Sequence, residues 1–237
     1  MTRTWIVTGG SRGFGRAVAA RAAETGARVA IIARGAEVEA VAREIGGQTI
    51  GLVADVGDAT AIRQAIAAVV DRWGSIDVLV NNAGLHRGGL IEQIDVNDWS
   101  DVLATNISGP FHMIRNVLPH MGETGSIVNV GAVVGFRGFA GDVAYGTSKA
   151  GLAGMTQVLA VELARRGIRV NLVIPGFVDT DMTAAITQRA RTKLLQRIPL
   201  GRAGTAEEIA EVICWVANAS YMTGSVVATD GGLMCSL

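Results

Sequence analysis

Short apolar segments rich in β-branched residues alternate along this chain with longer segments of helical periodicity. The short segments are apolar at consecutive positions, which is typical of strands that are covered on both faces of a sheet. The pattern predicts strands at residues 6–7, 28–33, 48–53, 78–81, 126–130, 169–174 and 226–229. It predicts helices at residues 13–25, 36–45, 59–73, 99–118, 144–166 and 206–217, with a polar loop after the sixth strand.

Such alternation of strands and helices predicts right-handed β-α-β units. The expected fold class is therefore α/β, with a doubly wound, seven-stranded parallel sheet and helices on both faces. The sequence contains no linker, repeat or low-complexity segment, so residues 1–237 are expected to form a single domain.

Composition narrows the possible partners. Hydrophobic residues make up 49% of the chain and charged residues 18%, and the formal net charge is 0, which argues against nucleic acid or an anionic membrane as partner. No apolar run approaches the ~18 residues needed to cross a bilayer, and the N-terminus enters a strand at once, which leaves no room for a signal peptide. Cys214 and Cys235 cannot form a disulfide framework. We therefore expect a cytoplasmic protein with part of its apolar surface buried between subunits.

The turn between the first strand and the first helix is rich in glycine. Glycine lets the backbone approach a pyrophosphate closely, and the helix N-terminus supplies N–H groups and a positive dipole. The spacing differs from G-x-G-x-x-G, but the position after the first strand predicts a Rossmann fold that binds a dinucleotide. The candidate contacts in this turn are Gly9, Ser11, Arg12, Gly13, Phe14 and Gly15.

The end of the second strand bears on which dinucleotide is bound. Enzymes that use NAD usually carry an acid there to hold the ribose hydroxyls, whereas this strand ends in Ala33 and Arg34. Arg34 and Arg12 suit a 2′-phosphate, because guanidinium groups bind phosphate in a bidentate manner. The sequence therefore favours NADP(H) over NAD(H), with two solvated arginines as the alternative interpretation.

Tyr145 and Lys149 lie four residues apart at the start of a predicted helix and so share one of its faces. A neighbouring cation favours the phenolate, and we expect Lys149 to lower the pKa of Tyr145 toward neutrality. Such a phenol can exchange a proton with a carbonyl or an alcohol. Taken alone, the spacing favours a surface tyrosine and a solvated lysine, because it is common; the motifs upstream favour the catalytic interpretation.

These motifs occur in an order that resembles the short-chain dehydrogenases/reductases, and within them the 3-oxoacyl-[acyl-carrier-protein] reductases and related ketoreductases. The resemblance covers essentially the whole chain and rests on the glycine turn, residues 55–56, residues 81–84, Asn106, Tyr145 with Lys149, residues 175–180, residues 199–202 and residues 230–232. It implies an NADPH-dependent reduction of a ketone, either a 3-oxoacyl thioester or a hydrophobic carbonyl compound, to a secondary alcohol. Tyr145 would be the proton donor, no metal would be needed, and the protein would be a homotetramer.

The resemblance also assigns roles to single residues. Asp55 and Val56 would contact the adenine, and Lys149 the ribose on the nicotinamide side. Asn106 would hold a water that relays protons to Lys149. The remaining cofactor contacts would be Asn82, Ala83, Gly84, Pro175, Gly176, Val178 and Thr180. Simpler structural interpretations stay open: Asp55 as a turn cap, Asn82 as a tie between strands, and Asn106 in a helix kinked by Gly109-Pro110.

One position departs from the family pattern. The family usually carries a serine thirteen residues before the tyrosine, and its hydroxyl holds the substrate oxygen, but this chain has Ala132 there. Losing one such donor typically costs ~10²–10³ in rate. Three explanations are open. An engineered Ser-to-Ala substitution is favoured because every other family position is intact; the others are a reductase in which another group makes the contact, and a catalytically impaired NADP(H)-binding sensor or scaffold.

The substrate end of the site is less constrained by sequence. A lid is expected at about residues 179–200, with Met182, Ala184, Ala185, Ile186, Leu194 and Leu195 at near-helical spacing. It is either an apolar cover for an acyl chain or a small amphipathic helix packed on the body. Residues 133–139, including Phe139, would line the pocket, and His86 would flank it or simply be exposed. Basic residues that would face an acyl-carrier protein, or only solvent, are Arg189, Arg191, Lys193 and Arg197.

Overall fold

The structure of the protein is a computed structural model that describes residues 2–180, 183 and 186–235. Within these residues the chain forms one sheet with the strands β1 (Thr4–Thr8), β2 (Arg28–Ala33), β3 (Gln48–Val53), β4 (Ile76–Asn81), β5 (Met121–Val130), β6 (Arg169–Pro175) and β7 (Val226–Thr229). The helices are α1 (Gly13–Glu24), α2 (Glu37–Ile45), α3 (Ala59–Trp73), α4 (Val96–Leu103), α5 (Gly109–Val117), α6 (Val143–Leu163), α7 (Gln188–Leu195) and α8 (Ala206–Asn218).

The sheet has the order β3-β2-β1-β4-β5-β6-β7, and each pair of neighbouring strands is parallel. The α/β class and the doubly wound parallel sheet predicted from the sequence are confirmed. β5 begins earlier than predicted, at Met121, which pairs with Ile76 beyond an irregularity in the register.

Both faces of the sheet are covered, which explains the consecutive apolar positions in the strands. In β1, Val7 points to a core formed with α1 and α8, whereas its neighbour Ile6 points to a core formed with α3, α5 and α6. Both side chains are 0% exposed.

The helix predicted at residues 99–118 is interrupted. Between α4 and α5 the chain makes a π-helical turn, Ala104–Ser108, in which the Gly109 N–H donates to the Ala104 carbonyl. Pro110 lacks an N–H and cannot donate to the carbonyl of Asn106, so the regular ladder is broken at this point. The predicted irregularity is therefore present, as a π turn that places Asn106 inside the protein. The predicted polar loop after β6 likewise contains a helix, α7.

The strand order reverses next to β1, because β2 lies on one side of it and β4 on the other. In doubly wound sheets the loops that leave two such strands diverge and open a crevice at their carboxyl ends. A cavity of about 670 Å³ lies here and continues past the ends of β5 and β6. The fold therefore brings the segments that follow the first six strands, β1 to β6, to one cavity.

Candidate active site

The cavity brings together most of the site residues predicted from the sequence. Those on its wall are Gly9, Ser11, Arg12, Gly13, Phe14, Arg34, Asp55, Val56, Asn82, Ala83, Gly84, Ala132, Tyr145, Lys149, Pro175, Gly176, Val178 and Thr180. Gly15 and Asn106 lie outside the wall. Each of these two residues packs against or hydrogen-bonds to a segment that borders the cavity.

The glycine turn after β1 is packed too tightly for side chains. Gly9 has φ +64, and a Cβ there would lie 2.9 Å from the Ala83 Cα. A Cβ on Gly15 would lie 2.2 Å from the Gly9 carbonyl oxygen, so Gly15 lets α1 start directly behind the turn. Around Gly13, by contrast, a Cβ would meet Thr180 Cγ2 at 3.8 Å, which leaves room beside the N-terminus of α1. This cradle suits a phosphate group, because the first N–H groups of a helix bind anions.

A hydrogen-bond network joins this turn to the loop after β4. The Asn82 side chain donates to the carbonyls of Thr8 and Gly9, at 3.0 and 3.2 Å. The Thr8 hydroxyl accepts from the backbone N–H groups of Asn82 and Ala83, both at 3.0 Å. Asn82 therefore makes the structural tie between strands that the sequence left open, while it also borders the cavity.

Positively and negatively charged side chains lie together at the end of the cavity next to β2 and β3. Arg34 Nη1 lies 3.9 Å from Asp55 Oδ2, with the Arg34 side chain 63% exposed. Asp55 Oδ1 also accepts from the Gly57 N–H at 2.8 Å, so the turn-cap interpretation of Asp55 is present in the structure. Glu37, in the first turn of α2, lies on the same wall. Sequence reasoning examined only the tip of β2 and missed this acid three residues beyond Arg34.

Asn106 fixes the loop after β4 to α6. Its Oδ1 accepts from the Leu85 N–H at 2.8 Å, and its Nδ2 donates to the Leu85 carbonyl and to the Ser148 hydroxyl, both at 2.9 Å. The side chain is 1% exposed. A Cβ on Gly84 would lie 3.7 Å from Asn106 Oδ1 and 3.6 Å from Lys149 Nζ, so both polar groups border the space beside Gly84.

Tyr145 and Lys149 meet as the helical spacing predicted. Lys149 Nζ lies 5.6 Å from the centre of the Tyr145 ring. It also donates to the Val130 carbonyl at the end of β5, at 2.8 Å. Lys149 is 3% exposed, and burial lowers its pKa to about 8. The ammonium is thus held between α6 and the sheet, on the cavity wall.

The expected direction of the Tyr145 pKa shift is wrong for the protein by itself. Burial, followed by the negative charge of Asp142, raises the pKa of Tyr145 to about 12. Both effects disfavour the phenolate. The prediction considered only the positive charge of Lys149; it overlooked the Asp142 carboxylate one turn before Tyr145, and the burial of the ring depends on the tertiary structure.

Ala132 follows β5 and borders the cavity, where the family carries its serine. It precedes a short 3₁₀ turn, Val133–Gly135, that packs on α6: a Cβ on Gly135 would lie 2.7 Å from the Ala150 backbone nitrogen. Of the stretch 133–139 predicted to line the pocket, Val133, Val134 and Phe139 do so.

His86 and Asp142 form a pair that sequence reasoning missed. His86 Nε2 lies 2.7 Å from Asp142 Oδ1, although 56 residues separate the two in sequence. The His86 ring also meets the Tyr145 ring edge to face, with centres 5.0 Å apart and planes at 82°. Asp142 directly precedes α6 and is three residues before Tyr145, a helical spacing that could have flagged it.

The segment after β6 closes the remaining side. A Cβ on Gly176 would lie 2.6 Å from the Asp230 Cα, so this glycine lets the segment pass close to the C-terminal turn. Leu233 from that turn borders the cavity and accepts a hydrogen bond from Arg137. Sequence reasoning gave the C-terminus no part in the pocket.

The expected lid is described in part, since Met182, Ala184 and Ala185 lie outside the described residues. Ile186 and Leu194 border the cavity, and Leu195 packs with the apolar cluster below it. Arg191 pairs with both carboxylate oxygens of Asp179 and lies 5.3 Å from the Phe177 ring centre. Its charge is therefore neutralised at the body of the protein, while Arg189, Lys193 and Arg197 are exposed.

Neither metal binding nor a membrane-spanning helix is supported in the described part of the chain. It contains no group of three or more His, Cys, Asp or Glu side chains placed to hold a metal ion. None of its helices combines the length and apolar character that crossing a membrane requires. The arrangement that is present, a phenol and an ammonium beside a phosphate-binding turn, can bind a dinucleotide and transfer a proton.

Comparisons with known proteins agree with this geometry. The chain matches the family model described as Enoyl-(Acyl carrier protein) reductase over residues 9–234. It is 40% identical over 242 residues to the 3-oxoacyl-[acyl-carrier-protein] reductase FabG of Staphylococcus aureus, with 98% of each protein covered.

Solved structures show the same relationship. A dehydrogenase/reductase from Sinorhizobium meliloti superimposes with a TM-score of 0.94 at 39% identity, over 98% of this chain and 96% of that one. A blue fluorescent protein from a metagenomic library, solved in complex with NADPH, superimposes with a TM-score of 0.93 at 35% identity, over 98% and 97%. With its parallel sheet, its glycine turn and its Tyr145–Lys149 pair, the chain belongs to the short-chain dehydrogenase/reductase family of oxidoreductases.

Proposed function

We propose that this protein is an NADPH-dependent ketoreductase that converts a ketone to a secondary alcohol. The observation that carries the proposal is the placement of Tyr145 and Lys149, 5.6 Å apart from ring centre to Nζ, on the wall of the cavity that also contains the glycine turn. A proton donor and a dinucleotide cradle thus share one enclosed space. The FabG name of a relative with 40% identity supports a 3-oxoacyl thioester as the substrate class.

The residues present fit a bound dinucleotide. Gly13 leaves space at the N-terminus of α1 for the pyrophosphate, and Gly9 lets the turn pass close to Ala83. Asp55 and Val56 would hold the adenine, and Gly84, Lys149 and residues 175–180 the nicotinamide half. The NADPH present in a structural neighbour of 35% identity supports this cofactor class. When bound, NADPH supplies the hydride that reduces the ketone carbon.

The protein groups supply the proton. Tyr145 donates its phenolic hydrogen to the carbonyl oxygen as that oxygen gains negative charge. Lys149, positioned by the Val130 carbonyl, stabilises the phenolate left on Tyr145. Asn106 and Lys149 border the space beside Gly84, and we place the relay that returns a proton to Tyr145 there.

The raised pKa of Tyr145, about 12, suits the direction of reduction. A phenol with this pKa is protonated at neutral pH and therefore begins the cycle as a donor. We therefore propose that Tyr145 acts as the general acid when the ketone is reduced.

The preference for NADP(H) rests on Arg12 and Arg34, which border the cavity without an acid at the tip of β2. Arg34 already lies near Asp55, and Glu37 is on the same wall, so both arginines work in a mixed electrostatic environment. A 2′-phosphate would add the negative charge that a guanidinium binds in a bidentate manner.

We also propose a cytoplasmic homotetramer. Apolar side chains are exposed on the long helices after β4 and β5, with Phe111 50%, Val158 57% and Val161 79% exposed. A second exposed apolar group lies near β7, with Trp215 57%, Tyr221 103% and Val226 41% exposed. Two separate apolar surfaces suit two kinds of subunit contact, as dihedral tetramers require.

Ala132 favours a second candidate, a protein that binds NADP(H) as a sensor or scaffold without turnover. The cavity wall at this position offers a methyl group where the family has a hydroxyl. Against this candidate stand Tyr145, Lys149 and Asn106, whose arrangement simple binding does not require. The two candidates differ in one measurable quantity, the consumption of NADPH.

The test is to mix the purified protein with NADPH and a panel of ketones, including acetoacetyl-coenzyme A and ethyl acetoacetate, and to follow NADPH absorbance. We expect at least one ketone to be reduced. Tyr145→Phe should lower kcat by ~10²–10⁴, because it removes the general acid, and should leave NADPH binding within a few-fold. Tyr221→Phe, at an exposed tyrosine away from the cavity, is the matched control. Binding of NADPH without consumption by any ketone would favour the sensor.

A further inference from the structure

The loop after β4 places a histidine against the proposed proton donor. His86 borders the cavity together with Ala132 and Tyr145. Its ring meets the Tyr145 ring edge to face with centres 5.0 Å apart, and its side chain is 40% exposed. The cavity that Ala132 lines with a methyl group is therefore also lined by an imidazole, which contacts Tyr145.

The orientation of this imidazole is set by Asp142. Nε2 of His86 lies 2.7 Å from Asp142 Oδ1. An ionised carboxylate can only accept hydrogen bonds, so Nε2 carries the hydrogen in this contact. Nδ1 remains for a different partner: it accepts in the neutral ring and donates only in the protonated ring, so a donor role toward a substrate oxygen requires the protonated ring.

The backbone on both sides of His86 is also held. Leu85 is bonded through its N–H and its carbonyl to the Asn106 side chain, at 2.8 and 2.9 Å. On the other side, the Gly89 N–H donates to the Gly141 carbonyl at 2.8 Å, which ties the loop to the start of α6. A loop fixed at two points, with a carboxylate on its imidazole, has the construction of a positioned functional group.

We propose that His86 donates a hydrogen bond to the carbonyl oxygen of the substrate and so replaces the hydroxyl that Ala132 lacks, with Asp142 as its positioning residue. The inference rests on the proposed reductase function. The carbonyl oxygen must reach the Tyr145 hydroxyl to accept its proton, and His86 lies against the same phenol. Hydride adds to the carbonyl carbon, the Tyr145 proton moves to the oxygen, and His86 keeps its own proton throughout.

The test uses two positions in a double-mutant cycle, with NADPH and ethyl acetoacetate or whichever ketone of the panel is reduced fastest. His86→Ala should lower kcat/KM by ~10²-fold, the usual cost of one donor to a developing oxyanion, and leave NADPH affinity within a few-fold. His120→Ala, at a histidine that does not border the cavity, is the matched control and should retain wild-type kinetics.

The Ala132→Ser substitution then tests whether His86 compensates for the missing hydroxyl or only contacts Tyr145 incidentally. In the wild type, where His86 already holds the oxygen, the added hydroxyl should change kcat/KM by less than ~10-fold. In the His86→Ala background it should restore ~10²-fold. Equal fold-changes in the two backgrounds would show that the two positions act independently and would overturn the proposal.

A pH profile separates a donor from a structural residue. His86→Gln keeps an N–H donor that does not titrate, so it should retain more kcat/KM than His86→Ala and lose the decline that deprotonation of an imidazole causes. Asp142→Asn removes the carboxylate that orients the ring, so it should lower kcat/KM in the wild type and have no further effect in the His86→Ala background. The ionisable groups that contact His86 are Asp142, which directly precedes α6, and Tyr145 in its first turn, with Lys149 one turn further along α6. Lys149 is present in every variant, so differences between profiles report on the His86–Asp142 pair.

Thermal unfolding and NADPH binding of each variant confirm that it is folded. Wild-type kcat/KM in a folded His86→Ala protein would overturn the role of His86 while the reductase function stands, provided that Tyr145→Phe is inactive. Absence of turnover with every ketone in the wild type would overturn both proposals.

Discussion

Lys149 is a buried cation whose charge is unfavourable for the folded protein by itself. Burial lowers its pKa from 10.5 to about 8. Below pH 8 the folded and the unfolded chain both hold the proton, and above pH 10.5 neither does. Between these values the unfolded chain binds more protons, so the free energy of unfolding rises with pH. At neutral pH the buried charge of Lys149 therefore lowers the free energy of unfolding. The role proposed for this ammonium explains why the charge is kept inside the protein.

We expect this cost to appear in Lys149→Met, whose side chain does not titrate. As the pH rises from 8 to 10.5, the free energy of unfolding of the wild type should gain about 3 kcal/mol relative to the variant. Urea unfolding of both proteins at equal concentration over this range measures the difference. Parallel pH dependences would show that Lys149 titrates normally in the folded protein.

Arg34 tests the cofactor preference. Its guanidinium is 63% exposed beside Asp55 and is available to a phosphate on the cavity wall. Arg34→Ala should weaken NADPH by ~10-fold or more, which corresponds to ~1.4 kcal/mol, and should leave NADH nearly unchanged. Titration of both cofactors by fluorescence provides the comparison, with Arg43→Ala on α2, which does not border the cavity, as the control. Equal weakening of both cofactors would show that Arg34 does not meet the 2′-phosphate.

At the level of single residues, sequence reasoning worked where the chemistry is local. The helical spacing of Tyr145 and Lys149 placed both on one face without further information. The His86–Asp142 pair joins residues 56 positions apart, and no local pattern reports such a contact. The predicted direction of the Tyr145 pKa shift was wrong for a related reason, because the burial of its ring depends on every element packed around it.

At the level of elements, the turn at Val133–Gly135 positions the Ala132 segment against α6. This approach depends on Gly135, because a Cβ would lie 2.7 Å from the Ala150 backbone nitrogen. Backbone atoms in a helix cannot move away as a flexible side chain can. The turn and α6 are therefore fitted to each other at this glycine.

Gly135→Ala should push the turn away from α6 and lower the free energy of unfolding by ~1–3 kcal/mol, the usual cost of overpacking. It should also lower kcat/KM, since residues 132–134 border the cavity. Gly138 offers a matched control in the same segment, because a Cβ there meets nothing within 4 Å. Urea unfolding and ketone reduction should leave Gly138→Ala near the wild type. Similar behaviour of the two variants would contradict the steric explanation.

The interruption between α4 and α5 was predicted from the sequence, but its form was not. Gly109-Pro110 signalled an irregularity, and the structure has a π turn there. The sequence could not give its form, since the extra residue in the turn is accommodated by packing that buries Asn106 beside Leu85 and Ser148. The same limit applies to α7, whose residues were assigned both to a polar loop and to a helical lid.

At the scale of the whole molecule, the exposed apolar residues on α5 and α6 are the proposed subunit contact. Val161→Glu, at a position 79% exposed, should dissociate the tetramer because it places a charge in a surface that association would desolvate. Val53→Glu, at a position 50% exposed near the sheet edge, is the matched control. Light scattering after size-exclusion chromatography measures the mass of both. A Val161→Glu protein with unchanged mass would remove this surface from the proposed interface.

The sequence by itself determined the α/β class, the parallel sheet, the glycine turn after β1 and the Tyr145–Lys149 pair. These features follow from periodicity, from glycine between a strand and a helix, and from spacing along one helix, which are properties of neighbouring residues. The tertiary structure decided the raised pKa of Tyr145, the pairing of Arg34 with Asp55, the use of Asn106 as a clamp and the contact of His86 with Tyr145. The position of His86 is decided by its contacts with Asp142 and Tyr145, while Ala132 lines the same cavity. Each of these features depends on which distant segments meet at the carboxyl ends of the strands, and burial and electrostatics act between all groups that meet there.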